Sequence, residues 1–148
     1  MLKCYLASPF FCEEELNNVK KIEKALGNAG INYFSPRSEG VLVNMTDEER
    51  RAKFEDIYNS NIKNMNNCTI MIANIDDYDP GTIYELGFMS KSSKPIFSFS
   101  GKDYGLNVML RQSVICHNTK IENLISNIQE FISGKELTVF DELTNKVT

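Results

Sequence analysis

The sequence of 148 residues has few of the features that mark metal, nucleic-acid or membrane proteins. It contains one histidine, and its four cysteines form no CxxC pair and no cluster with histidine, which argues against a metal site. The net charge is −4 and no stripe of lysine or arginine offers a footprint for phosphates, so nucleic acid is not an expected partner. No signal peptide and no apolar run of membrane-spanning length is visible, and we therefore expect a cytoplasmic protein with no membrane association.

Common cofactor and catalytic motifs are missing as well. The chain has no GxGxxG, no P-loop and no HExxH, so we expect neither a cofactor nor a metal. His117 has no serine or cysteine placed to suggest a triad, and we interpret it as a surface residue. After the first strand a receiver domain would carry acidic residues, and a flavodoxin would carry a phosphate loop rich in serine and threonine. This chain has Ser8 and Pro9 there, so neither class of protein is expected.

What the sequence does contain is an alternation of strand and helix patterns. Short apolar runs predict five strands, at 2–7, 31–34, 68–73, 95–99 and 113–116. Four helices are predicted between and after them. The first has an apolar stripe over 16–29 and is closed by Gly30, and a loop over 35–46 precedes the second, which begins at Thr46 and has an apolar stripe of Phe54, Ile57, Tyr58, Ile62 and Met65. The third is capped by Asp79, and the fourth covers 121–131.

Strands that alternate with helices predict an α/β fold whose parallel sheet is covered by helices on both faces. Five strands in a single domain over 1–148 favour the flavodoxin-like, doubly wound order 2-1-3-4-5. In that order the ligand crevice lies between the carboxyl ends of strands 1 and 3. The segments ASPFF (7–11) and DYDPGTIYE (77–85), which follow these strands, should therefore face each other.

Glu85 and Asp79 are the first candidates for chemistry. Glu85 lies in the first two turns of its helix, where it is either a solvated residue that stabilises the helix dipole or a carboxylate that points into the crevice. Asp79 is a good N-cap before Pro80, a role that does not exclude a second one in the site. Gly81 would let a ligand approach the start of the helix closely.

Other candidates have both a structural and a functional interpretation. Tyr5 is either a core tyrosine or a crevice residue, and Phe10 and Phe11 either belong to the core or line a base pocket. Asn61 continues the apolar stripe of its helix, so its amide should turn inward and needs a partner, unless the helix margin solvates it.

Three blocks, read together and in order, resemble the nucleoside 2-deoxyribosyltransferase family. YLASPFF (5–11) is similar to its opening strand and aromatic loop, DPGTIYELGFM (79–89) to its nucleophile block, and NVMLRQSV (107–114) to its Asn-x-Met segment. The resemblance implies that Glu85 is the nucleophile, that Tyr5 orients it, and that Asp79 holds the nucleoside. It further implies a substrate-binding set of Ser8, Phe10, Phe11, Asn61, Gly81, Asn107 and Met109.

Partners and reaction follow from the same resemblance. The implied substrates are a 2'-deoxynucleoside and a free nucleobase, with a preference for purines, and the reaction passes through a deoxyribosyl-glutamate with net retention. In such enzymes Asn107 and Met109 would reach the site of a neighbouring subunit, which implies a homo-oligomer with a dimer as its unit, such as a trimer of dimers. Many members have Asp where Asn61 aligns, and an amide cannot shuttle a proton, so the proton donor stays open.

Two alternatives remain at this stage. A 2'-deoxynucleoside 5'-phosphate N-hydrolase shares the fold, but the acidic residues of SPFFCEEE (8–15) would repel a phosphate. A nucleotide-binding module without catalytic activity is the alternative of another class. The C-terminal tail (136–148) does not match the tail that closes some pockets of the family.

Overall fold

A computed structural model of the chain describes residues 1–39, 44–102 and 105–135. Five parallel strands form one sheet with the order β2-β1-β3-β4-β5, which confirms the predicted topology. The strands are β1 (Cys4–Ala7), β2 (Tyr33–Phe34), β3 (Ile70–Asn74), β4 (Ile96–Phe99) and β5 (Cys116–Asn118). The tail at 136–148, the part of the predicted loop at 40–43, and residues 103–104 lie outside the described residues.

Helices cover both faces of the sheet. They are α1 (Glu13–Asn28), α2 (Asp47–Asn67), α3 (Pro80–Ser90), α4 (Val108–Ser113) and α5 (Ile121–Ile132), with short 3-10 helices at Pro36–Glu39 and Asp76–Tyr78. Because side chains alternate along a strand, Cys4 and Leu6 pack beneath α1 and α5, whereas Tyr5 and Ala7 pack beneath α2, α3 and α4. Among the described residues no helix is both long and apolar enough to span a membrane.

Local capping explains where three of the helices begin or end. The Thr46 hydroxyl accepts a hydrogen bond from the Glu49 amide at 3.1 Å, as the capping sequence predicts. Asp79 caps α3, whose first residue is Pro80. Gly30 follows α1 with φ +70°, a left-handed conformation that glycine adopts without strain.

The prediction of the last strand was wrong in its position. Ser113 is the last residue of α4, and β5 begins only at Cys116, because the apolar run that ends a short helix continues into the strand without a break in pattern. His117 consequently lies inside β5 and is buried, and the expectation that it is a surface residue was also wrong. Its Nδ1 atom lies 2.8 Å from the Ser98 hydroxyl of β4.

Only the end of the apolar stripe on α2 belongs to the core. Met65 is buried, whereas Phe54 and Tyr58 are 54% and 53% exposed. The reason is length: the 21 residues of α2 span about 31 Å at 1.5 Å per residue, roughly twice the length of a strand of five residues. The first half of α2 therefore extends beyond the sheet and carries exposed aromatic side chains.

Candidate active site

A cavity of about 290 Å³ opens at the carboxyl ends of β1 and β3, where the topology predicts the crevice. One wall comes from the start of α3, and the opposite wall from α2 and the 3-10 helix at Pro36–Glu39. The lining residues are Ser8, Phe10, Phe11, Pro36, Glu39, Ile57, Asn61, Asp79, Gly81, Thr82 and Glu85. The two segments that should face each other, 7–11 and 77–85, do so across this cavity.

Glu85 lines the cavity from the second turn of α3. Burial raises the pKa of its carboxyl from 4.5 to about 7; the Tyr5 hydroxyl opposes this rise and the Asp79 carboxylate adds to it. Its neighbour Tyr84 is 55% exposed, so the helix surface turns from solvent to the cavity within one residue. The structure therefore favours the crevice interpretation of Glu85 over that of a solvated helix residue.

Tyr5 lies beneath Glu85 in the central strand β1 and is fully buried. Burial raises the pKa of its phenol, and the Glu85 carboxylate raises it further. The Tyr5 hydroxyl and Glu85 Oε2 are both buried, and neither has a hydrogen-bond partner of full geometry among the described residues. The two groups thus lie close enough for each to shift the pKa of the other, although Tyr5 is not among the residues that line the cavity.

Asp79 combines a structural role with a place in the cavity. Its Oδ2 accepts hydrogen bonds from the Thr82 amide at 2.9 Å and the Thr82 hydroxyl at 3.1 Å. A Cβ atom on Gly81 would lie 3.2 Å from the same oxygen, so glycine leaves the room that this cap needs. The cap holds the carboxylate in a fixed orientation at the start of α3, where the helix dipole favours negative charge.

Asn61 turns inward from α2, as predicted, and lies across the cavity from α3. Its Oδ1 atom is buried and has no hydrogen-bond partner among the described residues. A buried amide oxygen costs about 1–3 kcal/mol when it is unpaired, so a bound ligand that donates a hydrogen bond would remove this cost. The functional interpretation of Asn61 is therefore favoured.

The segment after β1 supplies the aromatic part of the cavity. Phe10 is half-buried against the core and Phe11 is 69% exposed, with their ring centroids 4.6 Å apart. Ser8 is buried, and its hydroxyl accepts a hydrogen bond from Asn74 Nδ2 at 3.1 Å. Both phenylalanines line the cavity, which fits the base-pocket interpretation.

Asn107 and Met109 do not line the cavity of their own chain. Asn107 caps α4, and its Oδ1 accepts a hydrogen bond from the Met109 amide at 2.8 Å. The Met109 side chain is 73% exposed. Their proposed role in a neighbouring subunit stays a prediction.

Sequence reasoning missed Glu39 and Pro36, which fall in the segment 35–46 that was predicted as a loop without periodicity. The only local signal was an acid shortly after Ser-Pro at the carboxyl end of a strand. Glu39 Oε1 accepts a hydrogen bond from the Ser60 hydroxyl of α2 at 3.2 Å. This contact between residues 21 positions apart belongs to the tertiary structure alone.

The cavity is acidic. Three carboxylates line it, from Glu39, Asp79 and Glu85, and no lysine or arginine is among the described lining residues. The nearby Arg37 is committed elsewhere, since its Nε donates to both oxygens of the buried Glu23 at 2.6 and 2.7 Å. Within the part of the chain that the structure describes, no group of three or more histidine, cysteine or acidic side chains is placed to hold a metal ion.

Comparisons with known proteins point to one enzyme family. A family model for nucleoside 2-deoxyribosyltransferase matches residues 4–126. The chain is similar to the solved structure of a 2-deoxyribosyltransferase from Bacillus psychrosaccharolyticus, with 31% identity, a TM-score of 0.72, and coverage of 83% of this chain and 90% of that chain. A search among curated proteins found no match.

Two more distant structures share the fold. A 2-deoxyribosyltransferase from Leishmania mexicana is 18% identical, with a TM-score of 0.53 over 72% of this chain and 69% of that chain. A CMP N-glycosidase from Clostridium botulinum is 16% identical, with a TM-score of 0.51 over 86% of this chain and 98% of that chain. The family model covers most of the sequence, including every described residue that lines the cavity, and the chain therefore belongs to the nucleoside 2-deoxyribosyltransferase family.

Proposed function

We propose that the protein exchanges the base of 2'-deoxynucleosides, with Glu85 as the nucleophile. The observation that carries this proposal is the Glu85 carboxyl at the wall of the cavity, whose pKa burial raises to about 7 and which interacts with the Tyr5 hydroxyl and the Asp79 carboxylate. A strongly perturbed carboxyl in a cleft is a marker of catalytic function.

The geometry supports a double displacement. A Glu85 oxygen attacks C1' of the deoxyribose while the C1'–N bond breaks, through an oxocarbenium-like transition state. The second base then attacks the same carbon from the opposite side and releases Glu85, so that two inversions give net retention. Tyr5 orients the carboxylate, and Asp79, whose position its cap fixes, holds a sugar hydroxyl or the base.

The aromatic side of the cavity suits the base. The exposed face of Phe11 and the adjacent Phe10 offer rings for stacking, and Ile57 adds an apolar surface on the other wall. Two fused rings stack over a larger area than one, which supports a preference for purines. The buried oxygen of Asn61 can accept a hydrogen bond from the base.

The charge of the cavity favours a free nucleoside over a nucleotide. Three carboxylates line it, and a 5'-phosphate would add up to two negative charges beside them. An N-glycosidase is the second candidate, because a CMP N-glycosidase shares the fold and water could replace the acceptor base. The buried, perturbed Glu85 argues against a binding module without catalytic activity.

One assay separates these functions. The protein is incubated with deoxyinosine and adenine, and deoxyadenosine is measured by chromatography, with a parallel sample that lacks adenine. Deoxyadenosine formation supports transfer, whereas release of hypoxanthine without deoxyadenosine indicates a hydrolase. Glu85→Ala should abolish both reactions, while Glu55→Ala, an exposed carboxylate on α2, should leave them unchanged.

The covalent intermediate has its own test. A 2'-deoxy-2'-fluoroarabinosyl purine should react with the enzyme and stay attached, because the fluorine slows both oxocarbenium-like steps. Mass spectrometry of peptides should then locate the added sugar on Glu85. A sugar on another residue, or turnover without any adduct in quenched samples, would contradict the assignment of the nucleophile.

We further propose a cytoplasmic homo-oligomer whose dimers share their active sites. Supporting this, Asn107 and Met109 lie outside the cavity of their own chain, and exposed apolar side chains cluster on neighbouring helices. Those on α2 and α3 include Tyr58 and Tyr84, whose hydroxyls lie 3.4 Å apart. A surface of this kind is typical of an interface, and a two-fold dimer, alone or within a trimer of dimers, is the simplest closed arrangement.

Subunit mixing tests the shared site. Glu85→Ala and Asn107→Ala proteins, each inactive alone, are mixed under conditions in which labelled subunits demonstrably exchange. Part of the activity should return, because some sites then receive an intact Glu85 and an intact Asn107 from different chains. No recovery despite exchange would leave Asn107 as the cap of α4 only.

A further inference from the structure

Departure of a nucleobase requires a proton as well as a nucleophile. The electron pair of the breaking C1'–N bond enters the base, and protonation of a ring nitrogen lets the base leave in neutral form. Asn61 lies in the cavity but carries an amide, which has no acidic proton to give. Another group must therefore transfer the proton if the mechanism proposed above holds.

The three acidic side chains of the cavity differ in their contacts and in their roles in the proposed reaction. Glu85 is the nucleophile of the proposed reaction, and Asp79 is tied by one oxygen to the amide and hydroxyl of Thr82. Both belong to α3 or its cap and so lie on one wall. Glu39 is the third carboxylate. It comes from the 3-10 helix that follows β2, and β2 lies on the other side of β1 from β3, the strand that precedes α3.

One direct hydrogen bond holds Glu39 at the cavity, and further contacts anchor its 3-10 helix. The Ser60 hydroxyl donates to its Oε1 atom at 3.2 Å, and Ser60 is the neighbour of Asn61 on α2. The 3-10 helix itself is anchored by Arg37, whose Nε binds both oxygens of the buried Glu23 on α1. Ser38 adds a further anchor through a hydrogen bond of 2.7 Å to the Ser35 carbonyl.

The reaction requires the nucleophile and the proton donor to lie on opposite sides of the sugar. The nucleophile attacks C1' on the face away from the departing base, so the group that protonates the base must lie on the other side of the sugar from Glu85. A retaining glycosidase places its two carboxyl groups in this relation. Glu39 is the titratable side chain of the described cavity that meets this condition.

Resting on the proposed function, we infer that Glu39 is the general acid and base that carries a proton between the leaving and the incoming base. In the first half-reaction a Glu85 oxygen bonds to C1', the C1'–N electron pair goes to the base, and the Glu39 carboxylic proton moves to a ring nitrogen. In the second half-reaction the incoming base gives its N–H proton to the Glu39 carboxylate as its nitrogen bonds to C1'. The C1'–O electron pair returns to Glu85, so both residues end as they began.

The test is the dependence of the first half-reaction on the leaving base. Base release in a single turnover is measured for wild type, Glu39→Gln and Ser60→Ala with deoxyinosine, which needs a proton to depart. The same rates are measured with two other donors. The base of 6-chloropurine 2'-deoxyriboside is a better leaving group than hypoxanthine, and the base of 7-methyl-2'-deoxyguanosine is already cationic. Glu55→Gln, with an exposed carboxylate on α2, serves as the control for lost charge.

We expect Glu39→Gln to slow release from deoxyinosine about 100-fold, the lower end of the usual contribution of a general acid. The loss should shrink with the chloropurine, and with the methylated donor where that donor is accepted. Ser60→Ala should show the same pattern with a smaller loss, and Glu55→Gln should show none.

An equal loss with every leaving base, or no loss with deoxyinosine, would overturn the role of Glu39. A failure of the role proposed for Glu39 is distinguishable from a failure of the proposed function, because single-turnover base release is measured without an acceptor. A wild-type enzyme that releases base but forms no deoxyadenosine would refute transfer and still allow Glu39 to be tested. Thermal unfolding of each variant shows whether it is folded at the assay temperature.

Discussion

Replacing Glu85 with glutamine should stabilise the protein at alkaline pH while it removes activity. The folded protein raises the pKa of this carboxyl from its ordinary value of 4.5 to about 7, mainly by burial. Between these two values the native state holds a proton that the unfolded state has lost. The free energy of unfolding therefore falls as the pH rises from about 4.5 to 7, and the full penalty is present above pH 7.

The size of the penalty follows from the shift. One pKa unit corresponds to about 1.4 kcal/mol, so a shift from 4.5 to about 7 corresponds to about 3 kcal/mol at pH 8. A glutamine keeps the shape of the side chain and remains neutral, but it still buries an amide, which costs part of the gain. We expect Glu85→Gln to be more stable than wild type by about 1–3 kcal/mol at pH 8, or roughly 5 °C in Tm.

Thermal and urea unfolding at pH 5 and pH 8 measure this difference, with wild type and variant at the same protein concentration. At pH 5 both side chains are largely neutral in the folded state, so most of the gain should disappear. Glu55→Gln, at an exposed position, should show no such dependence on pH. A variant that is less stable than wild type at pH 8, or equally stabilised at both pH values, would refute the account of Glu85.

Three further predictions concern Glu85, Tyr5 and Asp79. First, kcat/KM should change with pH through a midpoint near 7, because the charge of Glu85 changes there; a flat profile between pH 5 and 9 would contradict this. Second, Tyr5→Phe removes the hydroxyl that lowers the pKa of Glu85, so the midpoint should move to higher pH, and an unchanged or lower midpoint would exclude the interaction. Third, Asp79→Ala removes the cap of α3 and should cost about 1 kcal/mol in unfolding experiments, whereas Asp79→Ser should keep most of the stability without restoring activity.

The order of elements could be predicted from the sequence because each element leaves a local pattern. β3 (Ile70–Asn74) is buried on both faces and therefore appears as a continuous apolar run. Thr46 and Asp79 mark the starts of α2 and α3 because a side-chain oxygen must satisfy backbone amides at a helix start. The topology followed from this alternation together with the rules for parallel connections.

Much of the candidate site could be predicted for a related reason. Segments that follow strands 1 and 3 meet at the switch point of this topology, so Glu85, Asp79 and the residues of 7–11 are brought together by strand order alone. Asn61 could be placed by helical periodicity, since a polar residue on an inward face is visible as an exception to the pattern.

The tertiary structure alone decided the features that depend on distant neighbours. Glu39 reaches the cavity from a 3-10 helix in a segment whose sequence has no periodicity, and the hydroxyl of Ser60, 21 positions away, binds its carboxylate. His117 is buried because β5 begins later than its apolar run, and Phe54 is exposed because α2 is longer than the strands beneath it. The raised pKa of Glu85 likewise comes from its surroundings in the fold. Local patterns report which residues can form a helix or a strand, whereas burial, charge state and register depend on what packs against them, and residues far apart in the sequence supply those contacts.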